Sequence, residues 1–415
     1  MITYAHTSPG ASMLNKKYLI PILGIVAAGL LASVPFALDA YHSYSLDKKI
    51  RSCAESEASS SRIDCWYDLI RNGLLAGGIA EAMDVFSRVY ESHDDFANSG
   101  CHTHAHWLGD RVYYDLYRGQ NDLSAIEFPQ SSTACGYGLF HGFLEHLIQD
   151  NSDITFVRKT CEELKGRLEG TMRDIGTICY HGAGHGLMLA QGEKLTKESY
   201  GNIAAYTRGP IEQCEALEGV TEREMEECKE GLYNVITQWM TLSQYGFEYD
   251  YEKPFTICDA EPENAQSACY YEIAQKLDKV ASFDPVKLAE VVGTVKRQDL
   301  RTMIFGVGMA GIIQSRVADE ERYMETLERC GLIDEELFLK CAASIVHGLM
   351  EHGSPQQEFR RAVSICAHPL VVEKGADRCW RTYAERVGRF YAPQDRGEVC
   401  EPIPDEKNRE ICLTQ

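Results

Sequence analysis

Basic residues are scarce in this chain of 415 residues, in which Lys and Arg total 41 against 62 Asp and Glu. The resulting net charge of -21 repels the phosphates of nucleic acids, so we expect no nucleic-acid partner. Several catalytic signatures are also absent: the G-x-S-x-G elbow of serine hydrolases, the phosphate-binding G-x-x-x-x-G-K-[ST] loop, and the C-x-x-C-H motif of covalently bound haem.

Runs in which Val, Ile or Thr alternate with polar residues are rare, and their scarcity argues against a β-fold. Segments such as EIAQKLDKVASF instead carry apolar residues at intervals of three and four, which is typical of amphipathic helices. The sequence therefore predicts an all-α fold.

One long uncharged stretch, Tyr18 to Leu38, contains 21 residues and is long enough to cross a hydrocarbon core of about 30 Å. Lys16 and Lys17 precede this stretch and Asp39 follows it, which predicts a cytoplasmic N-terminus. The predicted segments are a cytoplasmic tail at 1–17, a transmembrane anchor at 18–38, a linker at 39–52, and an extracytoplasmic domain at 53–415. A cleaved signal peptide is the alternative, although no A-x-A site follows the stretch. Both alternatives place most of the chain outside the cytoplasm.

Sixteen cysteines, an even number, are typical of a protein that folds in an oxidising compartment. Fourteen of them form neighbouring pairs in the sequence, and we expect a disulfide within each pair: Cys53/Cys65, Cys161/Cys179, Cys214/Cys228, Cys258/Cys269, Cys330/Cys341, Cys366/Cys379 and Cys400/Cys412. A disulfide between the remaining two, Cys101 and Cys135, is the simplest prediction for them.

The sequence between paired cysteines is polar and typical of turns, as in CDAEPENAQSAC. The sequence after the second cysteine is typical of a helix, as in CYYEIA. This pattern indicates a helix end, a turn and a helix start, recurring at the period of two-helix repeats. We therefore expect a disulfide-stapled array of helical hairpins, either an open solenoid or a closed α/α toroid.

Nine of the thirteen histidines lie in four short windows, HTHAH, HGFLEH, HGAGH and HGLMEH. Their histidines and glutamates form i,i+4 pairs, which share one face of a helix and can reach one cation: His102/His106, His141/Glu145, His181/His185 and His347/Glu351. The equivalent positions after Cys228 are Asn234 and Gln238, which are weaker ligands. Glycines in the windows, Gly142 and Gly184 among them, indicate close approach of another backbone or a ligand.

Neutral imidazole and carboxylate together suit zinc, and also copper or iron. The predicted metal ligands are His102, His106, His141, His181, His185 and His347, and Glu145 and Glu351 are predicted to act as ligands or as the general base. We expect His104 and His146 to face outward. The first five ligands are predicted to meet in one cleft, which His347 and Glu351 join only if the array closes into a ring.

The first functional hypothesis is a membrane-anchored extracytoplasmic metalloprotein, which we expect to be a zinc-dependent hydrolase. The second places redox-active copper or iron at the same site. The third is an α-solenoid scaffold for extracytoplasmic protein partners, in which the histidines hydrogen-bond between neighbouring helices.

Overall fold

The structure of the chain, a computed structural model, describes residues 44–120, 123–170, 172 and 174–414. Internal contacts divide the chain into two units, Met1–Arg62 and Ile63–Gln415. Every regular element in the described part of the chain is helical, which confirms the predicted all-α class. The site discussed below lies entirely within the second unit.

The helices are mostly short. Residues 44–54 are the described part of α1. The following helices are α2 Ser59–Ser92, α3 Asp94–Asn98, α4 Cys101–Arg111, α5 Gly138–Asp150, α6 Ile154–Leu168, α7 Ile175–Lys194, α8 Ile203–Glu215, α9 Glu222–Thr241, α10 Thr256–Asp259 and α11 Glu263–Ala274. The C-terminal half contains α12 Leu277–Val280, α13 Pro285–Gly293, α14 Arg301–Gln314, α15 Glu320–Cys330, α16 Glu335–His352, α17 Glu358–Cys366, α18 Pro369–Lys374, α19 Asp377–Phe390, α20 Arg396–Cys400 and α21 Glu406–Thr414.

Local signals set where the helices of the site begin. A capping box starts α9, because Thr221 and Glu224 satisfy each other's backbone N–H groups. The side chain of Asp334 accepts a hydrogen bond from the backbone of Leu337 and so caps α16. These caps fix the register of the helices and hence the direction in which their polar side chains point.

Disulfides join the predicted neighbours. Seven bonds have Cα separations between 5.1 and 6.3 Å, within the range that a disulfide spans: Cys101–Cys135, Cys161–Cys179, Cys214–Cys228, Cys258–Cys269, Cys330–Cys341, Cys366–Cys379 and Cys400–Cys412. Cys53 and Cys65 are also disulfide-bonded. The predicted local pairing is therefore confirmed, and such a framework is typical of an oxidising milieu.

Eight helices follow one another around a central cavity of the second unit. Each packs on the next in the order α4, α5, α7, α9, α11, α14, α16 and α19. The last of them returns to the beginning of the series, because α19 contacts residues Gln130–Thr133 and the hydroxyl of Tyr137 donates to the backbone oxygen of Arg389. This circular order of contacts brings residues that are distant in sequence to the same cavity. The two-helix repeat itself remains a prediction.

The predicted anchor at 18–38 and the cytoplasmic tail at 1–17 lie outside the described residues. Among the helices that the structure describes, none combines the length and the apolar character that crossing a bilayer requires. The anchor and its orientation remain predictions from the sequence.

Candidate metal centre

Five predicted ligands meet at one place, on the adjacent helices α4, α5 and α7. Their ring centroids form a continuous series: 5.0 Å from His102 to His141, 4.7 Å from His141 to His181, 5.0 Å from His181 to His185, and 6.2 Å from His185 to His106. We call these five residues the imidazole cluster. Their convergence in one cleft agrees with the prediction from the sequence.

Glycines allow these helices to approach closely enough for the side chains to meet. A Cβ atom added at Gly142 of α5 would lie 2.1 Å from the backbone oxygen of His106 on α4. A Cβ added at Gly184 of α7 would lie 2.1 Å from the backbone oxygen of Cys228 on α9. Real side chains do not tolerate such distances, so these positions require glycine. The predicted close backbone approach is confirmed at both positions.

Three histidines of the cluster form the most suitable metal group. The ligand atoms of His141, His181 and His185 all lie within 4.8 Å of one another, and the three side chains are buried. Two further groups meet the same distance criterion: His106 with Glu145 and His185, and His181 with Glu230 and Glu272. Hydrogen bonding distinguishes between these groups, because it determines which ring nitrogens carry protons.

The protonation of His141 follows from a short chain of hydrogen bonds. Nδ1 of His102 lies 3.0 Å from the backbone oxygen of Cys135, which can only accept, so Nδ1 carries the proton. Burial and the nearby His106 lower the pKa of His102 to about 3, so its Nε2 is bare. That Nε2 lies 3.3 Å from Nδ1 of His141, which must therefore donate. Burial also holds the pKa of His141 well below its ordinary value, and its Nε2 carries a lone pair.

His185 and His181 are oriented in the same way by carboxylates. Nδ1 of His185 lies 3.0 Å from Oε2 of Glu145, and Nδ1 of His181 lies 3.2 Å from Oε2 of Glu227. Because a carboxylate accepts, each Nδ1 donates and leaves Nε2 for another partner. Nε2 of His185 is buried and has no hydrogen-bond partner among the described residues. Metal-ligating histidines commonly show this arrangement, in which the second ring nitrogen donates to a carboxylate.

The pKa values of these two ligands differ. Burial lowers the pKa of His185 to about 4, so its Nε2 is free of a proton at neutral pH. For His181, burial acts in the same direction, but the hydrogen bond to Glu227 and the charge of Glu272 raise its pKa above the ordinary value. A metal must therefore displace a proton from His181 when it binds.

His106 is a poorer ligand than the three central histidines. Burial alone would lower its pKa, but hydrogen bonds to Asp110 and Glu145 raise it to about 10. A protonated imidazole has no lone pair for a metal. In that group, the nitrogen of His185 that faces Glu145 is Nδ1, which already lies 3.0 Å from the carboxylate. The group of His141, His181 and His185 excludes the protonated His106 and can use the unpartnered Nε2 of His185, and it is therefore favoured.

His347 and Glu351 line the same central cavity, but they contact each other rather than the imidazole cluster. Arg386 holds both, with its guanidinium 3.3 Å from Oε2 of Glu351 and 3.1 Å from Nδ1 of His347. Burial and the charge of Arg386 lower the pKa of His347 to about 4. Neither residue belongs to any of the three metal groups found among the described residues.

The central cavity has a volume of about 310 Å³, at the small end of the range for ligand pockets. Residues from all eight helices of the ring line it, including His141 and His181 from the metal group and Arg389 from α19. Asn234 and Gln238, the weaker equivalents noted in the sequence, also line it. A metal held by the three histidines would therefore face a polar chamber that the helices of the ring line.

Reasoning from the sequence missed three carboxylates that stand beside His181: Glu227, Glu230 and Glu272. Burial raises the pKa of Glu230 to about 8 and that of Glu272 to about 7. The sequence did contain a signal for these carboxylates. Glu227 and Glu230 lie on either side of Cys228, and Glu272 interrupts the apolar sequence after Cys269.

The expectation that His104 and His146 face outward was wrong for His104. That side chain is buried and hydrogen-bonds both the hydroxyl of Tyr67 and the backbone oxygen of Phe96, each at 2.8 Å. His146 is partly exposed and lies 3.3 Å from a carboxylate oxygen of Asp110. Both histidines serve packing and hydrogen bonding at the edge of the imidazole cluster.

Comparisons with protein-family models, with curated proteins and with solved structures give no match for this chain. The geometry of the imidazole cluster is therefore the basis on which its function is inferred.

Proposed function

We propose that this protein is a membrane-anchored, extracytoplasmic metalloprotein that holds zinc between His141, His181 and His185 in a toroid of helical hairpins. The observation that carries the proposal is Nε2 of His185, a buried lone pair without a partner among the described residues, whose opposite nitrogen is fixed by Glu145. A buried polar atom without a partner costs about 1–3 kcal/mol, and a metal would remove that cost.

The donor set favours zinc. Neutral imidazole is a preferred ligand of zinc, which binds nitrogen at about 2.0–2.1 Å. Nitrogens around a tetrahedral zinc lie roughly 3.3 Å apart, so ligand atoms within 4.8 Å of one another need only small side-chain rotations. Three protein ligands with a fourth position open are typical of catalytic rather than structural zinc sites.

The reaction class that we propose is hydrolysis. Zinc in such a site supplies a Lewis acid and lowers the pKa of water to about 7. Glu145 serves in positioning, because it accepts from His185 and also lies 3.2 Å from His106. Glu351 is held by His347 and Arg386. Glu227 lines the cavity and accepts from Nδ1 of His181, so it positions that histidine as Glu145 positions His185.

Copper or iron at the same three histidines is the alternative, because imidazole also suits these metals. The distinction is spectroscopic, since a zinc protein is colourless and a copper(II) or iron protein absorbs visible light. The scaffold hypothesis has less support, because the histidines converge around an interior chamber instead of bridging successive surfaces.

The location that we propose follows from the disulfides and from the uncharged stretch at 18–38, which would anchor the chain with residues 53–415 outside the cytoplasm. Protease treatment of intact cells tests this orientation. The domain should be digested without lysis, and resistance of the domain in intact cells combined with digestion in lysed cells would contradict it.

Elemental analysis of the full chain, purified with its disulfides intact, tests the metal site. We expect bound zinc in the wild-type protein and a loss of about one equivalent in His141→Gln and His185→Gln. His368→Asn is the matched control, because His368 caps a short helix outside the cluster. A wild-type protein that binds no metal on loading, or a metal content unchanged in both cluster variants, would overturn the proposal.

A further inference from the structure

Three carboxylates form an acidic wall beside the imidazole cluster. Glu227 and Glu230 lie on α9, and Glu272 lies on α11. All three are buried. Of the histidines, His181 is the one that faces them, with Nδ1 lying 3.2 Å from Oε2 of Glu227. His181 therefore stands between the imidazole cluster on one side and this acidic wall on the other.

One oxygen of the acidic wall lacks a partner. Glu272 is 0% exposed, and its Oε2 accepts hydrogen bonds from Asn234 at 2.7 Å and from Gln275 at 2.9 Å. Its Oε1 is buried and has no hydrogen-bond partner in the described part of the chain. Glu272 also belongs to a group in which ligand atoms of His181, Glu230 and Glu272 all lie within 4.8 Å of one another.

The acidic wall has fewer cationic partners than carboxyl groups among the described residues. Arg223 contacts two of the three carboxylates, at 2.6 Å from Glu227 and 2.8 Å from Glu230. Glu272 makes no ion pair with a Lys or Arg among the described residues, and its hydrogen bonds come from neutral amides. A buried carboxylate without a cationic partner is costly. A divalent cation would provide a positively charged partner for Glu272 and a contact for its Oε1.

We propose that a second divalent cation binds between Glu230, Glu272 and Nδ1 of His181, so that His181 bridges two metal ions. This inference rests on the proposed function, because the first ion occupies Nε2 of the same ring. When the second cation binds, neutral His181 releases the proton on Nδ1 to solvent and becomes an imidazolate, and a proton held by the carboxyl group of Glu230 or Glu272 is released to solvent in the same step. Glu227, which accepted the hydrogen bond from Nδ1 of His181, then faces the second cation directly.

The two positions differ in ligand chemistry. The first offers three imidazole nitrogens, whereas the second offers one nitrogen and two carboxylates, a harder set that suits manganese as well as zinc. The two nitrogens of one ring point in different directions. The ions are therefore further apart than the about 3.5–4 Å of hydrolases whose two metals share an oxygen. The second ion thus orients His181 and neutralises the acidic wall.

Metal stoichiometry tests the second position. The full chain is saturated with Zn²⁺, and in parallel with Mn²⁺, freed of excess metal, and analysed for bound metal. We expect two equivalents of zinc in the wild-type protein and one in Glu272→Gln or Glu230→Gln, since an amide replaces the anionic ligand without a change in size. Glu358→Gln is the matched control, because Glu358 is equally buried but lies outside the cluster, and it should retain two equivalents.

The outcomes separate this inference from the proposed function. One equivalent in the wild type that His185→Gln removes and Glu272→Gln leaves would overturn the second position while the three-histidine site stands. One equivalent that Glu272→Gln removes and His185→Gln leaves would overturn both the three-histidine site and the bridge. If the variants fail to fold, the wild type decides alone. Calorimetry in buffers of different ionisation enthalpy should show that the second equivalent releases at least one proton, and saturation at a single equivalent would overturn the inference.

Discussion

Nδ1 of His185 lies 3.0 Å from Oε2 of Glu145, and Nε2 on the opposite side of the same ring is buried without a hydrogen-bond partner among the described residues. The carboxylate fixes both the orientation and the tautomer of the ring. It also comes from a different helix, α5, so that the position of one ligand on α7 depends on its neighbour. Glu145 is therefore a positioning residue whose effect on metal binding can be measured.

Replacement of Glu145 by alanine should weaken zinc binding by about 10–100-fold, because His185 loses the acceptor that holds Nδ1 protonated. Competition with a chromophoric chelator measures the change. Glu212→Ala is the control, since Glu212 is exposed on α8 and should bind zinc like the wild type. Unchanged affinity in Glu145→Ala would show that Glu145 does not position His185.

Close packing between α7 and α9 predicts that replacement of Gly231 by alanine strongly destabilises the folded protein. A Cβ there would lie 2.0 Å from the backbone oxygen of His181, so Gly231→Ala must separate the two helices. We expect a loss of about 3 kcal/mol in the free energy of unfolding, together with weaker metal binding. Gly166→Ala on α6 is the matched control. A Cβ there meets nothing within 4 Å, and helix propensity favours alanine by about 1 kcal/mol. Equal stabilities of the two variants would contradict the prediction.

Disulfides close to the site and disulfides far from it should differ in their effect on zinc binding. Removal of Cys161–Cys179 by double alanine substitution should cost about 3 kcal/mol and also weaken zinc binding, because Cys179 lies two residues before His181. Removal of Cys400–Cys412 should cost a similar amount and leave zinc binding unchanged. Chemical denaturation and chelator competition on the same samples give both quantities. Similar zinc affinities in the two variants would show that Cys161–Cys179 does not set the position of α7.

The burial of Glu358 predicts that the free energy of unfolding depends on pH for a reason unrelated to the metal site. Burial raises its pKa from 4.5 to about 7, although Tyr391 donates a hydrogen bond to it. The folded state therefore keeps a proton that the unfolded chain releases above pH 4.5. The resulting stabilisation is complete below that pH and is lost as the pH rises through about 7.

The difference in unfolding free energy between wild type and Glu358→Gln isolates this group. Relative to the variant, the wild type should lose about 3 kcal/mol between pH 4.5 and 7 and change little above that range. Urea denaturation at a series of pH values measures the difference. A difference that does not vary with pH would show that Glu358 titrates alike in the folded and unfolded chain.

Much of this architecture is local, and local features are visible in a sequence. The disulfides join near neighbours, so their spacing predicts them, and the i,i+4 pairs place His181 and His185 on one face of α7. Adjacent windows on α4, α5 and α7 then meet because these helices follow one another in the ring. The sequence predicts these relationships because each depends on residues close together along the chain.

Relationships that depend on distant residues could not be predicted in the same way. The pairing of Glu351 with Arg386 and the approach of Glu272 to His181 depend on how α11, α16 and α19 pack. His104 was misassigned because the alternation in HTHAH does not show that α4 buries that side chain against Phe96. Burial of polar residues depends on the neighbouring helix, and spacing within a single helix does not show it.

The contact of Tyr137 with Arg389, which are 252 residues apart, has a consequence for the order of folding. The three central histidines come from α5 and α7, so they can assemble when less than half of the chain has emerged. The chamber in front of them cannot form until α19 has been synthesised and has returned to the first helices. Contacts between residues so far apart in sequence form slowly. A newly synthesised chain would therefore bring the three histidines together before the chamber around them is complete, and during this interval the proposed site is most accessible to a metal ion.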